Sequence, residues 1–306
     1  MKKIPLIIIA GPTASGKTAL AVQVAKQINA EIVSADSMQI YKYMDIGTAK
    51  PSEAEQEGIP HYMMDFLDPS ESFSVSDYCD MAKKYIAEIS NRGKIPILTG
   101  GTGLYIDSLV NGVEFGKMPE NPQIRAELEE LAEREGNEAV YKILLEVDPE
   151  TAEKYHPNNL RRVIRAIEFY KTANQTISAH AKEEKTSPYD SVYFCIDWDR
   201  AELYERINRR VDWMLEEGLE EETVKLLSMG IDKNSTSMQS IGYKELFGYL
   251  DGEKSFEEAV DELKRNTRRY AKRQLTWFKR NKNIVWLKPD ESMTDTAVQI
   301  IKEKIL

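Results

Sequence analysis

Short apolar runs alternate with amphipathic stretches over the first 110 residues of the chain. Apolar runs bounded by Gly, Pro, Asn or Asp predict strands at residues 4–10, 31–35 and 95–99. The stretches between them predict helices at residues 18–28 and 77–91. Strands that alternate with helices are typical of a parallel sheet covered by helices. We therefore predict an α/β fold with a parallel, doubly wound sheet.

The middle of the chain has a different pattern, with helical stretches and no predicted strand. Residues 111–122 (NGVEFGKMPENP) are rich in Gly, Pro and Asn and predict a linker. Three helices are predicted beyond it, at residues 122–136, 137–147 and 158–172. Residues 191–197 (SVYFCID) are β-branched and aromatic, which predicts a return to the sheet. We expect a mostly helical insertion domain at residues 115–190.

The remainder of the chain is predicted to be mainly helical, with one short strand at residues 284–287. Residues 1–114 and 191–306 would then form the core, which ends in a helical C-terminal part. Two domains also suit the length of 306 residues, because a single hydrophobic core rarely grows past roughly 250 residues.

The composition excludes several classes of protein. Apolar residues make up 42% of the chain and charged residues 30%, a balance typical of globular rather than fibrous or disordered proteins. The longest apolar run, residues 4–10, is too short to cross a bilayer, which needs about 20 residues. Cys79 and Cys195 lack the spacing of metal ligands, so we expect neither zinc nor a disulfide. We expect a monomeric cytoplasmic protein without a membrane span.

Positive charge is concentrated near the C-terminus, although the chain as a whole carries a net charge of −10. Residues 264–289 contain ten Lys and Arg residues and no Asp or Glu. Residues 264–280 predict one helix, whose cationic face holds Arg265, Arg269, Lys272, Arg273, Thr276 and Arg280. The opposite face holds Leu263, Tyr270, Gln274, Trp277 and Phe278. Cations backed by aromatic residues favour a nucleic-acid partner, and the alternative is an ordinary solvated helix.

A phosphate-binding motif follows the first predicted strand. Residues 11–18 (GPTASGKT) match the pattern G-x-x-x-x-G-K-[ST] between a strand and a helix. In such a loop backbone N–H groups enclose phosphate oxygens, the lysine bridges them and the final hydroxyl can bind Mg²⁺. The motif leaves open whether the phosphates belong to a nucleotide or to another diphosphate. An ordinary glycine turn is the alternative.

Two further turns follow predicted strands and should open on the same crevice, because carboxyl ends of parallel strands line the ligand site. Asp36 follows the second strand and is a candidate base or metal ligand, or else a cap or turn residue. Residues 98–105 (LTGGTGLY) form a glycine-rich turn, which either brings the backbone close to a ligand or is only a tight structural turn. Arg206 and Arg210, four residues apart, could reach the phosphate site or lie on the surface. Arg161, Arg162 and Arg165 form a smaller cluster that could bind RNA or form ion pairs with acids such as Glu168.

Taken together, these segments resemble the tRNA dimethylallyltransferase (isopentenyltransferase) family along nearly the whole chain. The resemblance rests on six segments in order: GPTASGKT at 11–18, DSMQIYKYMDIGTAKP at 36–51, TGGTGLYI at 99–106, NNLRRVIRAIEFY at 158–170, QSIGYKE at 239–245 and RRYAKRQLTWFKR at 268–280. It implies a P-loop NTPase-like parallel sheet as the core. It also implies transfer of a dimethylallyl group from its diphosphate to the exocyclic N6 amine of the adenosine 3′ of a tRNA anticodon, with Mg²⁺ as cofactor.

The resemblance also assigns site residues. It implies Asp36 as general base, with Thr13, Thr102 and Arg206 near the reacting groups. The diphosphate would bind Gly11, Pro12, Thr13, Ala14, Ser15, Gly16, Lys17 and Thr18, and Thr18 would also bind the metal. The tRNA anticodon stem-loop would contact Asp36, Ser37, Met38, Gln39, Thr102, Leu160, Arg161, Arg162, Gln239, Gly242, Lys244, Lys272, Arg273, Gln274, Trp277 and Lys279. Among these, Gln39, Gln274 and Trp277 are the candidates for the adenine pocket.

Two other functions compete with this interpretation. A small-molecule or nucleoside kinase would use the same loop for ATP, but it leaves the acid-free cationic helix unexplained. A nucleotide-gated RNA-binding switch explains that helix but gives the Asp36 segment no task.

Overall fold

The computed structural model describes residues 3–112, 121–181 and 187–305. Its sheet has six strands, all paired in parallel, in the order β3-β2-β4-β1-β5-β6. The strands are β1 (Ile4–Ala10), β2 (Ala30–Ser34), β3 (His61–Tyr62), β4 (Ile95–Gly100), β5 (Tyr189–Ile196) and β6 (Val285–Leu287). The predicted α/β class with a parallel sheet is therefore confirmed.

The helices of the described residues are, in chain order, α1 (Lys17–Ile28), α2 (Glu53–Gln56), α3 (Val75–Asn91), α4 (Gly103–Val110), α5 (Pro122–Glu135), α6 (Asn137–Val147), α7 (Pro149–Ala152), α8 (Leu160–Ala173), α9 (Ile177–Ala181), α10 (Arg200–Glu216), α11 (Leu219–Ser228), α12 (Lys244–Leu250), α13 (Phe256–Phe278) and α14 (Met293–Lys304). Within the described ranges, no helix is long and apolar enough to cross a membrane. The chain divides into two compact units, residues 1–112 with 187–306 and residues 113–186.

The first unit is built around β1, which is covered on both faces. Ile7 and Ile9 pack with residues of α1 and α14 in one apolar cluster. Leu6 and Ile8 point to the opposite face, because side chains alternate along a strand, and they are equally buried. Burial on both faces explains the continuous apolar run in the sequence. Ala10 pairs with Gly100 on one side and Cys195 on the other, so the loops after β1, β4 and β5 leave the same edge.

Several predicted boundaries need correction. The predicted insertion ended at residue 190, but Tyr189 and Asp190 already pair with β1 as part of β5. The long C-terminal helix was predicted from residue 264 to 280, but α13 starts two turns earlier and ends at residue 278. The start is fixed by Ser255, whose side chain accepts a hydrogen bond from the Glu258 N–H in a capping box. Several short elements were missed, among them α2, the two-residue strand β3, and α4, which begins inside the glycine turn.

The second unit is a small helical bundle. Helices α5, α6 and α8 pack around Leu128, Val140, Leu144, Val163 and Ile167, all of them buried. The Asn121 side chain caps α5 by accepting hydrogen bonds from two backbone N–H groups. Residues 113–120 and 182–186, which belong to the predicted linker and insertion, lie outside the described residues.

A buried carboxylate organises one end of this bundle. Glu168 on α8 accepts a hydrogen bond from the Asn121 N–H at 2.8 Å and pairs with Arg125 and Arg165 at 3.0 and 2.6 Å. Burial raises the pKa of this carboxyl, but these partners outweigh it and hold the pKa below its usual value. Of the two alternatives for the arginine cluster, Arg165 forms the ion pair with Glu168. Arg161 and Arg162 are exposed instead. Leu160 packs against the bundle core, so its contact with tRNA stays a prediction.

Candidate active site

The phosphate loop, residues 11–18, joins β1 to α1. Ala14 and Gly16 adopt positive φ angles of 61° and 89°, the conformation that turns successive N–H groups toward one side. Two side chains that are distant in sequence hold the loop in this shape. Trp198, in the turn before α10, donates its Nε1–H to the Ser15 carbonyl at 2.9 Å. Arg206, on α10, donates its Nε–H to the Ala14 carbonyl at 2.9 Å. The Arg206 guanidinium also lies 4.3 Å from the Trp198 ring centroid. Sequence reasoning missed Trp198, because only the fold brings it to the loop.

Helix α13 braces the phosphate loop against the second glycine turn. The Gln274 Oε1 accepts a hydrogen bond from the Thr13 N–H at 2.9 Å, while its Nε2 donates to the Gly101 carbonyl at 3.0 Å. A Cβ atom on Gly101 would lie 2.3 Å from that Nε2, and one on Gly103 would lie 2.3 Å from Trp277 Cδ1. The absence of a side chain at these two glycines therefore leaves space for Gln274 and Trp277 and not for a ligand.

Trp277 has a partner of its own in this region. Its Nε1 donates to Asp107 Oδ2 at 2.7 Å, and burial raises the pKa of that carboxyl while this hydrogen bond opposes the rise. The contacts of Gln274 and Trp277 are those of residues that position the two turns. These protein partners do not support the predicted contact of Gln274 and Trp277 with the adenine.

Asp36 follows β2 and faces the phosphate loop. Its Oδ1 accepts hydrogen bonds from the N–H groups of Met38 at 2.9 Å and Gln39 at 3.4 Å, which makes an Asx turn. Within the described residues, Oδ2 receives no hydrogen bond. One oxygen thus has the structural role that sequence analysis gave as the alternative, and the other is available for chemistry.

Positive charge is concentrated around the loop. Burial lowers the pKa of the Lys17 ammonium to about 8, the nearby Asp36 carboxylate opposes this shift, and Arg210 adds to it. Burial also lowers the pKa values of the Arg206 and Arg210 guanidinium groups. Three partly desolvated cations beside a ring of N–H groups form a site that an anion would stabilise.

These residues line a cavity with a volume of about 760 Å³. The predicted site residues that line it are Thr13, Ala14, Ser15, Gly16, Lys17, Thr18, Asp36, Ser37, Met38, Gln39, Arg206, Gln239, Gly242, Lys244, Arg273 and Gln274. Other predicted residues of the first unit lie outside its wall: Gly11, Pro12, Thr102, Lys272, Trp277 and Lys279. Thr102 instead accepts a hydrogen bond from the Ser37 N–H at 3.1 Å, so it supports the Asp36 turn.

One wall of the cavity, residues 47–51, is held by two polar side chains, the half-buried Gln39 and the buried Glu222. Gln39 Nε2 donates to the carbonyls of Thr48 and Ala49 at 3.3 and 3.1 Å. The Glu222 carboxylate on α11 accepts three successive backbone N–H groups, of residues 45, 46 and 47, at 2.8, 2.9 and 3.0 Å. Its Oε1 also accepts from the Tyr243 hydroxyl at 2.6 Å. Sequence reasoning missed Glu222, because it stands in a run of acidic residues typical of an exposed helix face.

The cationic face of α13 is exposed as predicted, but its first turns are not free of acids. Lys264 pairs with Asp212 of α10 at 2.5 Å, and Arg265 with Glu262 at 3.7 Å. The inference from an acid-free sequence was therefore wrong for this part, because the partners come from outside residues 264–289. In the described chain, the exposed cations without a carboxylate partner on this helix and the turn after it are Arg269, Lys272, Arg273, Lys279 and Arg280.

The oxygen donors of the cavity suit a hard divalent cation. The described residues contain no group of three or more His, Cys, Asp and Glu side chains placed to hold a metal. Mg²⁺ commonly needs only one or two protein oxygens, with substrate phosphates and water in its other positions. The Thr18 hydroxyl and the Asp36 carboxylate both line the cavity and are donors of this kind.

The fold and this cavity define an α/β protein in which a phosphate-loop motif and a cationic helix line one cavity. The family model described as IPP transferase matches residues 39–281, so the chain belongs to the IPP transferase family. The family predicted from the six segments is thus confirmed.

Characterised relatives match over nearly their whole length. A tRNA dimethylallyltransferase of Acetivibrio thermocellus is 52% identical over 96% of this chain and 94% of its own, and one of Bacillus subtilis is 50% identical over 99% and 95%. The crystal structure of a tRNA isopentenylpyrophosphate transferase from Bacillus halodurans matches with a TM-score of 0.75 and 45% identity, covering 99% of this chain and 97% of that one. A eukaryotic dimethylallyltransferase acting on tRNA matches with a TM-score of 0.82 and 31% identity, over 98% and 78%.

Proposed function

We propose that the protein transfers a dimethylallyl group from dimethylallyl diphosphate to the exocyclic N6 amine of the adenosine 3′ of the anticodon in tRNA. The observation that carries the proposal is one cavity that joins a phosphate loop, a free carboxylate oxygen and the cationic helix α13. The names and extent of the related proteins support the same reaction. We also propose that the protein acts in the cytoplasm, where its tRNA substrate would be found.

The diphosphate leaves from the phosphate-loop side of the cavity. As the bond between the allylic carbon and the diphosphate oxygen breaks, the electron pair stays on the diphosphate, whose negative charge grows. The backbone N–H groups of residues 14 and 16–18, together with the Lys17 and Arg210 side chains, stabilise that charge. The Ser15 hydroxyl is buried without a hydrogen-bond partner in the described chain, and a phosphate oxygen would accept from it.

Arg206 acts on the loop and on the leaving group together. Its Nε holds the Ala14 carbonyl, and its guanidinium lies in the cavity wall. A fixed cation placed where charge develops costs little reorganisation during the reaction.

Asp36 serves the other reactant. The N6 nitrogen forms a bond to the allylic carbon and loses a proton, which Asp36 Oδ2 accepts. The Asx turn through Oδ1 holds the carboxylate in one orientation, so the structural and chemical roles use different oxygens. The adenine must leave the anticodon stack to reach this carboxylate, at a cost of a few kcal/mol that contacts inside the cavity offset.

Mg²⁺ is the proposed cofactor, held by Thr18 with the diphosphate and with Asp36 nearby. When bound, it neutralises part of the charge on the diphosphate. The exposed face of α13 binds the tRNA backbone through residues such as Lys272, Arg273 and Lys279. Contacts of Arg161 and Arg162 in the second unit with the same tRNA are part of the proposal.

Incubation with unmodified tRNA, Mg²⁺ and either dimethylallyl diphosphate or ATP tests the proposal. The expected result is prenylated tRNA and released diphosphate with the first donor, and no ADP with the second. Lys17→Ala should remove the transfer, because it deletes the cation at the leaving group. ADP formation would favour the kinase, and tRNA binding without any turnover would favour the RNA-binding switch.

A further inference from the structure

A half-exposed tryptophan at the edge of the active-site cavity has neither an indole hydrogen bond nor a ring contact among the described residues. The described chain exposes six large apolar side chains: Tyr43, Leu104, Leu145, Trp213, Val224 and Met229. Of these, only Trp213, which is 45% exposed, also lines the cavity. Its neighbours Val211, Met214 and Leu215 pack into an apolar cluster of which Trp213 is not a part.

The indole N–H of Trp213 is also unused. Trp198 and Trp277 donate theirs to a backbone carbonyl and a carboxylate, whereas within the described residues the indole N–H groups of Trp213 and Trp286 donate no hydrogen bond, and of these two only Trp213 lines the cavity. Tryptophan is enriched at binding interfaces, where its ring supplies apolar area and its N–H a donor, so both parts of this side chain are available to a bound molecule.

Helix α10 places Trp213 at a defined distance from the phosphate loop. Arg206, Arg210 and Trp213 follow at intervals of four and three residues, which puts them on one face of the helix. At a rise of 1.5 Å per residue, Trp213 lies about 10 Å along the axis from Arg206, which is bonded to the loop.

We propose that Trp213 is a stacking platform for a nucleobase of the tRNA substrate at the mouth of the active site. The inference rests on the proposed function and deepens it by naming a base-binding subsite. Three cations, Arg209, Lys244 and Arg273, line the same cavity, and cations combined with an aromatic ring are typical of sites that bind single-stranded RNA.

Steady-state kinetics with an unmodified anticodon stem-loop RNA test the subsite. Trp213→Ala should raise the KM for the RNA by about 5- to 100-fold, the usual effect of deleting one stacking aromatic. The KM for dimethylallyl diphosphate should stay unchanged, and Trp213→Phe should recover most of the loss, because it keeps a ring. Met229→Ala is the matched control, since Met229 is equally exposed but lies outside the cavity.

RNAs that each carry one abasic site in the anticodon loop identify the base. At one loop position, losing the base should weaken binding to the wild type but not to Trp213→Ala, because both changes remove the same contact. If the wild type is active and Trp213→Ala leaves the KM for the RNA unchanged, the inference is overturned. A rise confined to the KM for dimethylallyl diphosphate would overturn it as well. If the wild type itself prenylated no RNA, the proposed function would fail instead, which keeps the two results distinguishable.

Discussion

Replacing Glu222 by alanine should destabilise the first unit more than any exposed charge change, because four donors depend on this one carboxylate. It accepts backbone N–H groups from residues 45, 46 and 47 and the Tyr243 hydroxyl, and it is only 9% exposed. Each buried donor left without an acceptor costs about 1–3 kcal/mol. Water entering the vacated space would satisfy part of the set, so we expect a total loss of about 3–5 kcal/mol in the free energy of unfolding.

The assay is thermal unfolding followed by circular dichroism. A loss of about 3–5 kcal/mol corresponds to a fall in melting temperature of roughly 6–20 °C for a unit of this size. Tyr243→Phe removes one donor and leaves the carboxylate its three N–H partners, so its cost should be about 1 kcal/mol. Glu221→Ala is the control, since this neighbouring glutamate is exposed, and it should change stability by about 0.5 kcal/mol or less.

A melting temperature for Glu222→Ala equal to that of Glu221→Ala would refute the reasoning. It would show that the segment 45–47 needs no acceptor from α11. The same variant carries a functional consequence, because residues 47–51 form a cavity wall. Near-native folding at low temperature should therefore coexist with reduced transfer activity.

Three further predictions concern the chemistry and the RNA. Burial lowers the pKa of Lys17 to about 8, and a bound anion should raise that pKa, so diphosphate binding should take up a proton near pH 8 and weaken as the pH rises through that value. Calorimetry in buffers of different ionisation enthalpy measures the proton uptake, and binding without proton uptake would contradict the prediction. Asp36→Asn keeps an acceptor oxygen for the Met38 N–H but cannot take the amine proton. We therefore expect kcat to fall by about 10²- to 10⁴-fold, with the melting temperature and the tRNA affinity unchanged. A variant that retained more than about a tenth of the wild-type turnover would exclude a role as the base. Lys272→Glu or Arg273→Glu should weaken the binding of all substrate tRNAs similarly and make the slope of log affinity against log salt concentration less steep by about one per lost contact. An unaltered slope would argue against phosphate binding at these residues. Reversal of the ion-paired Arg265 is the comparison, and its effect should be smaller.

The features that sequence analysis predicted well are those set by neighbouring residues. The buried strand β1 and the phosphate loop each lie within one continuous stretch, so periodicity and motif spacing suffice to recognise them. The two faces of α13 follow from helical spacing in the same way.

The features that escaped depend on contacts between distant segments. Gln274 bridges residues 13 and 101, and Glu222 holds residues 45–47, so neither role leaves a local signal. The close approach at Gly101 was predicted, but its neighbour was a side chain of α13 and not a ligand. Lys264 finds its acid on α10, which no count of charges within residues 264–289 could show.

Identification of the modified nucleoside tests the central claim most directly. The wild-type protein is incubated with unmodified tRNA, Mg²⁺ and dimethylallyl diphosphate, and the tRNA is then digested and its nucleosides analysed by mass spectrometry. The account predicts one dimethylallyl group on N6 of the adenosine 3′ of the anticodon, one diphosphate released per modified tRNA, and neither product with Lys17→Ala. Unmodified adenosine at that position, with folded protein and bound tRNA, would contradict it.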